Sequence, residues 1–107
     1  LMPNMIITAS PKAADRIRLR LADLDRFLRT VLHAKAVNLL VVEATAGPTS
    51  ADVYVELLYR GTPERPREVI SRFGNDFCDA LDLEQDESYA FRAFAVTSDD
   101  LVSVNIP

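Results

Sequence analysis

Two strand-helix-strand units in tandem constrain this chain more than any single residue does. The first begins with a short apolar strand from Pro3 to Ala9 ("PNMIITA"), continues through a helix over Ala13–Leu32, and ends in a strand from Val37 to Ala44 ("VNLLVVEA"). Ser10 suits the N-cap of that helix and Pro11 its first position. Ile17, Leu21, Leu24, Leu28 and Val31 recur at helical spacing and form one apolar stripe. Opposite it lie Asp15, Arg16, Arg18, Arg20, Asp23, Asp25, Arg26 and Arg29, a solvated face. The run Val37–Ala44 is almost continuously apolar, as a strand covered on both faces would be.

A loop by composition ("TAGPTS") separates the units. The second then repeats the order with a strand over Asp52–Tyr59, a helix and a strand over Ser88–Val96. Thr62 is a good N-cap for this helix, Pro63 fits its first position, Glu64 suits its dipole, and Pro66 is early enough to be tolerated. Its stripe is Val69, Ile70, Phe73, Phe77 and Leu81. The units, residues 3–46 and 51–98, lie about fifty residues apart, a period that marks a repeat. Val102–Asn105 reads as a short fifth strand.

This order predicts an α+β fold of two layers. Right-handed crossovers make the strands of each unit parallel and put both helices on one face of a four-stranded sheet. The other face stays apolar at many positions with no helix left to cover it, so a second copy of the chain is the natural cover. The 107 residues suit one domain, 1–107, with a small core that oligomerisation would help. Leu1 ahead of Met2 reads as a vector remnant.

The net charge of −4 argues against a nucleic-acid partner. A lone Cys78 excludes an internal disulfide and fits a reducing cytoplasm; its place beside Phe77 reads as core. No apolar stretch reaches bilayer length, and the first residues lack the layout of a secretory signal. His33 is the single histidine, at a helix end where capping explains it, so a nucleophile-base triad has no support. Neither metal-ligand spacing nor a glycine-rich phosphate loop is present.

Pro3 stands at the foot of the first strand, where proline is tolerated because no ladder donor is lost. It also has a chemical reading. If processing makes it the first residue, it carries a secondary amine, and an apolar pocket disfavours the charged form and poises it as a general base. With Leu1 and Met2 retained the nitrogen is an amide and cannot serve, so that form is expected to be inactive.

The start "MPNMII", the turn "RGTPERPREVI" and the stretch "ALDLEQDESYAF", in this order and spacing, resemble the tautomerase superfamily. The size matches its macrophage migration inhibitory factor-like class, with two β-α-β units per chain. The resemblance implies a homotrimer with a central barrel of sheets and sites at the subunit interfaces around an amino-terminal proline. It implies a cofactor-free keto-enol proton shift on a small 2-oxo acid or related enolisable carboxylate, with Pro3 as base. Substrate-binding candidates follow by position. Lys35 would bind a carboxylate or carbonyl oxygen; Arg60 would clamp a carboxylate, although the order here is Arg60-Gly61 and not Gly-Arg. Tyr89 would reach into a neighbour's pocket.

Arg92 rivals Tyr89, because strand alternation puts Tyr89 and Phe91 on one side and Ala90 and Arg92 on the other. Phe91 stands where the family has a polar residue, implying an altered substrate or a weak or absent activity. The alternative is a non-enzymatic ligand-binding or structural oligomer, either ferredoxin-like or a decayed tautomerase. Strand order discriminates, since a tautomerase keeps the two strands of each unit as neighbours.

Overall fold

The structure, a computed structural model, describes residues 3–106. Leu1 and Met2, and with them the vector-remnant reading, lie outside the described residues. The elements are β1 (Asn4–Ala9), α1 (Pro11–Arg18), α2 (Leu21–Val31), β2 (Asn38–Glu43), β3 (Val53–Arg60), α3 (Arg67–Ala80) and β4 (Tyr89–Val96). A single 3₁₀ turn, Ser98–Asp100, follows.

The sheet order is β2-β1-β3-β4. β1 pairs with β2 in parallel and β3 with β4 in parallel, while β1 and β3 meet antiparallel at the centre. Each unit's strands are neighbours, which overturns the ferredoxin-like alternative. Alternation then divides the sheet into two faces. Met5, Ile7, Ala9, Val53, Val55, Leu57 and Tyr59 point into the helix layer and are buried. They pack with Ile17, Leu24, Leu28, Leu32, Ile70, Phe73, Phe77 and Leu81 in one core. No described helix is long and apolar enough to cross a membrane.

Four expectations are corrected. The helix over Ala13–Leu32 is two helices, with Leu19 capping α1 and Arg20 (φ −114°, ψ 11°) opening α2. The break lets α1 lie on β1 and β2 while α2 turns its Phe27 onto Phe73 and Phe77, at ring distances of 6.1 and 6.2 Å. The second helix begins at Arg67, because proline disfavours a helical conformation at the residue before it. Thr62–Arg65 forms a turn instead, closed by the Arg65 amide on the Thr62 carbonyl at 2.9 Å.

The run Val37–Ala44 is an edge strand covered on one side. Leu39 and Val41 face the core, while Leu40 and Val42 are half exposed. Residues 101–106 form no fifth strand; Val102, Val104 and Ile106 alternate there, all exposed.

Gly74 sits where α3 crosses β4. A Cβ there would lie 2.5 Å from the Phe91 ring, too close for any real contact. Alanine gains about 0.5–1 kcal/mol of helix propensity over glycine, but overpacking costs about 1–3 kcal/mol. Gly74→Ala is therefore expected to lower stability in urea unfolding, and adding Phe91→Leu to recover part of the loss. A neutral or stabilised Gly74→Ala would show that the ring yields freely.

Candidate active site

The antiparallel centre brings the start of β1, the start of β2 and the ends of β3 and β4 to one end of the sheet. Pro3 is buried there, and its carbonyl accepts the Asn38 amide at 2.9 Å. The Asn38 side chain donates to Asn4 Oδ1 at 2.9 Å, which fixes the first rung of the β1–β2 ladder. Arg60, the last residue of β3, is exposed. Carrying the register one step past Asn4–Leu58 sets Tyr59 beside Pro3, with Arg60 next along the strand.

Lys35 reaches the same end through the cap of α2. His33 takes the left-handed conformation (φ 51°) just past the helix. The Ala34 amide donates to the Arg29 carbonyl at 3.0 Å and the His33 amide to Thr30 at 3.4 Å, the paired bonds of a Schellman cap. This turn reverses the chain and leaves Lys35 exposed three residues ahead of β2.

Arg65, which the sequence reading placed in a helical first turn, ties these parts together. Its Nε and Nη2 donate to the Leu32 carbonyl at 3.1 and 2.8 Å, and its Nη1 donates to the Arg60 carbonyl at 3.1 Å. One guanidinium thus joins the end of α2 to the end of β3. The signal in the sequence was an arginine held between Pro63 and Pro66, both barred from helix-interior hydrogen bonding.

Charge is distributed unevenly. The basic residues of the first unit's helices, Lys12, Arg16, Arg18, Arg20, Arg26 and Arg29, each have a carboxylate within 4 Å. Among the described residues Lys35 and Arg60 have none, nor do Arg92 and the exposed Arg67 and Arg72 of α3. Glu64, four residues past Arg60, is held below the usual carboxylate range by its own backbone amide and the Thr62 hydroxyl, with His33 and Arg65 adding to the effect.

Tyr89 and Arg92 stand elsewhere. Tyr89 pairs with Val53 at the far end of the sheet and points into the helix layer, where its hydroxyl donates to the Gly74 carbonyl at 2.8 Å. Phe91 shares that face and meets the Phe73 ring edge-on at 5.8 Å. Arg92 lies on the open face opposite Glu56, and Nη1 donates to the Phe91 carbonyl at 2.9 Å. Within one chain, therefore, Pro3, Lys35 and Arg60 share one end, and Tyr89 and Arg92 do not join them.

The same architecture recurs in solved structures. A domain of unknown function (DUF1904) from Sebaldella termitidis superposes with a TM-score of 0.73 at 16% identity, covering 98% of each chain. A macrophage migration inhibitory factor-like protein from Entamoeba histolytica gives 0.66 at 12% identity, over 97% of this chain and 96% of its own. N1, a member of the cis-3-chloroacrylic acid dehalogenase family, gives 0.62 at 13% identity, over 94% and 79%. The chain has an α+β, tautomerase-like β-α-β fold, shared with these solved structures. No protein-family model and no curated protein matches it.

Within this tautomerase-like fold Tyr89 has a packing duty that can be measured. Burial, with a smaller contribution from the Cys78 thiolate, pushes its phenol well above the ordinary value. The unfolded chain ionises this tyrosine near its model-peptide value of about 10, while the folded chain keeps the proton. Unfolding then releases a proton above that pH, so stability falls as pH rises through the alkaline range. Tyr89→Phe is expected to flatten this part of the stability-pH curve, measured by urea unfolding at successive alkaline pH values. An unchanged slope would place the tyrosine's ionisation outside the packed state.

Proposed function

We propose that this chain is a tautomerase-like isomerase that moves a proton between carbon and oxygen in a small 2-oxo acid, without a cofactor. The supporting observation is a buried proline at the same sheet end as two cations, Lys35 and Arg60, that no carboxylate of the described residues neutralises. With Pro3 as the first residue, its secondary amine takes a proton from the carbon next to the substrate carbonyl. Burial favours the neutral, basic form of that amine. The enolate oxygen that develops faces the Lys35 ammonium, and stabilisation grows as charge builds on oxygen. The Arg60 fork holds the carboxylate. The prolinium then returns its proton to the enolate oxygen, and the amine is regenerated.

Tyr89 in this reading secures β4 to α3, its hydroxyl already being bound to Gly74. The protein works as a homotrimer. Ile6, Leu40, Val42 and Phe94 are each two-fifths to one-half exposed on the open sheet face, and burying them would bring the hydrophobic stabilisation a small core needs.

An ultraviolet keto-enol assay with an aryl pyruvate tests the chemistry on two samples. One begins at Pro3, as verified by mass spectrometry; the other retains Leu1 and Met2. Only the first is expected to accelerate the proton shift, and Lys35→Ala or Arg60→Ala to lower kcat/KM about tenfold or more. Equal rates in both samples would remove Pro3 from the mechanism. If both are silent across 2-oxo acids, a non-catalytic binding role replaces the isomerase.

Assembly has its own test. Sedimentation equilibrium is expected to give three times the chain mass, and Leu40→Lys with Phe94→Lys to give a folded chain of lower mass. A wild-type monomer would refute the trimer.

A further inference from the structure

A cleft lies at the opposite end of the sheet from Pro3, some five residues along β1 or about 17 Å at the usual rise of a strand. It opens on the sheet face away from the helices, beyond the carboxyl ends of β1 and β2, with none of the proposed subunit-contact residues Ile6, Leu40, Val42 and Phe94 in its lining, and has a volume of about 380 Å³. The wall is rich in hydroxyl groups, with Thr8 on β1, Thr45 and Thr49 in the β2–β3 loop, and Tyr54 on β3; Arg92 of β4 and Asp52 complete it. Alanines fill most of the remaining surface, leaving room between the polar groups.

The acids at this cleft are already engaged. Asp52 Oδ2 accepts the Ser88 amide at 2.9 Å and the Ser88 hydroxyl at 3.1 Å. Glu56, across from Arg92 on β3, accepts the Tyr54 hydroxyl at 2.8 Å. The Ser10 amide donates to the Asp52 carbonyl at 3.0 Å, which locks the floor. Arg92 has no such partner. Its single hydrogen bond goes to the carbonyl of the preceding residue, and no carboxylate of the described residues lies within 4 Å. Arg92 is therefore the one cation lining the cleft, and no carboxylate contact holds its guanidinium. Around it stand hydroxyls that both donate and accept.

We propose that this cleft is a second binding site, separate from the proline end, for a small polyhydroxylated organic anion. The Arg92 guanidinium binds the anionic group, and the threonine hydroxyls bind the ligand's own hydroxyls. A carboxylate and a phosphate ester offer the same acceptor geometry to an arginine fork. The volume suits a molecule of about six carbons.

The test is an amide-resolved NMR titration of the full chain with gluconate, with gluconamide as its neutral counterpart, and with inorganic phosphate. Gluconate is expected to shift the amides of Thr8, Thr45, Thr49, Tyr54 and Arg92 and to leave Asn38 and Gly61 at the proline end unmoved. Gluconamide is expected to bind about tenfold more weakly or worse. Arg92→Gln should weaken gluconate by a similar factor, Arg92→Lys should recover part of the loss, and Arg72→Gln, on the exposed side of α3, should change nothing. The spectra themselves report whether each variant is folded. Phosphate moving the same amides more strongly than gluconate would assign the anionic group as a phosphate ester. Absence of shifts at these amides with all three probes, or gluconate binding equally to wild type and Arg92→Gln, would overturn the proposal. Neither result depends on Pro3 chemistry, which the keto-enol assay reads separately.

Discussion

The antiparallel pairing of β1 with β3 sets every other spatial relation in the molecule. Each β-α-β unit alone has a parallel pair and a helix layer, and its strand ends would face solvent with no counterpart. Joined through Asn4–Leu58 to Ala9–Val53, the units run in opposite senses. The amino-terminal foot of one then meets the carboxyl end of the other's first strand. Pro3 becomes interior although it precedes the first strand residue, and Arg60 reaches its neighbourhood from more than fifty residues away. The same pairing gives the sheet two chemically distinct ends, with Lys35 and Arg60 at one and the hydroxyl-lined cleft at the other.

Holding that arrangement falls to a few polar ties across an otherwise apolar core. Arg65 is the clearest. Three of its donors reach two carbonyls on different elements, an arrangement that suits a planar fork and that a lysine's point charge cannot reproduce. The Leu32 carbonyl is one of those a helix end leaves without an intrahelical partner, so Arg65 satisfies an orphan acceptor while fixing the loop that carries Lys35. At the other end Asp52 and Ser88 do comparable work, bonding the start of β3 to the start of β4. Arg16, with Glu84 and Glu87, draws the first unit's helix to the stretch ahead of β4.

Periodicity carried the architecture well. The stripes of Ile17, Leu24 and Leu28 and of Ile70, Phe73 and Phe77 point inward as their spacing required, and period-two alternation placed Tyr89 and Phe91 opposite Arg92. It misled where one pattern fits two structures. The stripe from Ile17 to Val31 runs unbroken across the bend at Leu19-Arg20, since no glycine or proline marks it. The apolar run at Val37–Ala44 satisfies a doubly covered strand and an edge strand awaiting a partner equally well. The site was legible only in part, for the reason that makes contacts hard to read from order. Pro3, Lys35 and Arg60 could be named from their positions, but the bridge through Arg65 and the cleft around Arg92 depend on residues far apart in sequence. Thr45, Thr49 and Ser50 looked like loop composition, and only the fold turns them into a wall.

Electrostatics adds a last constraint. A chain with a net charge of −4 repels anions at long range, yet both candidate sites call for an anionic ligand. At physiological ionic strength the Debye length is about 8 Å, so distant charges are largely screened and the decision is local. The arginines of the first unit's helices are each tied to an aspartate or glutamate and present little free charge. Lys35 and Arg60 at one end of the sheet and Arg92 toward the other are left without such partners, as are the exposed Arg67 and Arg72 of α3. Pairing the helix cations internally therefore sharpens the contrast, making the unpaired ones the places where an anion gains most by leaving water. A cation without an internal partner also has less to lose on contact, because no existing ion pair must break before a ligand is bound.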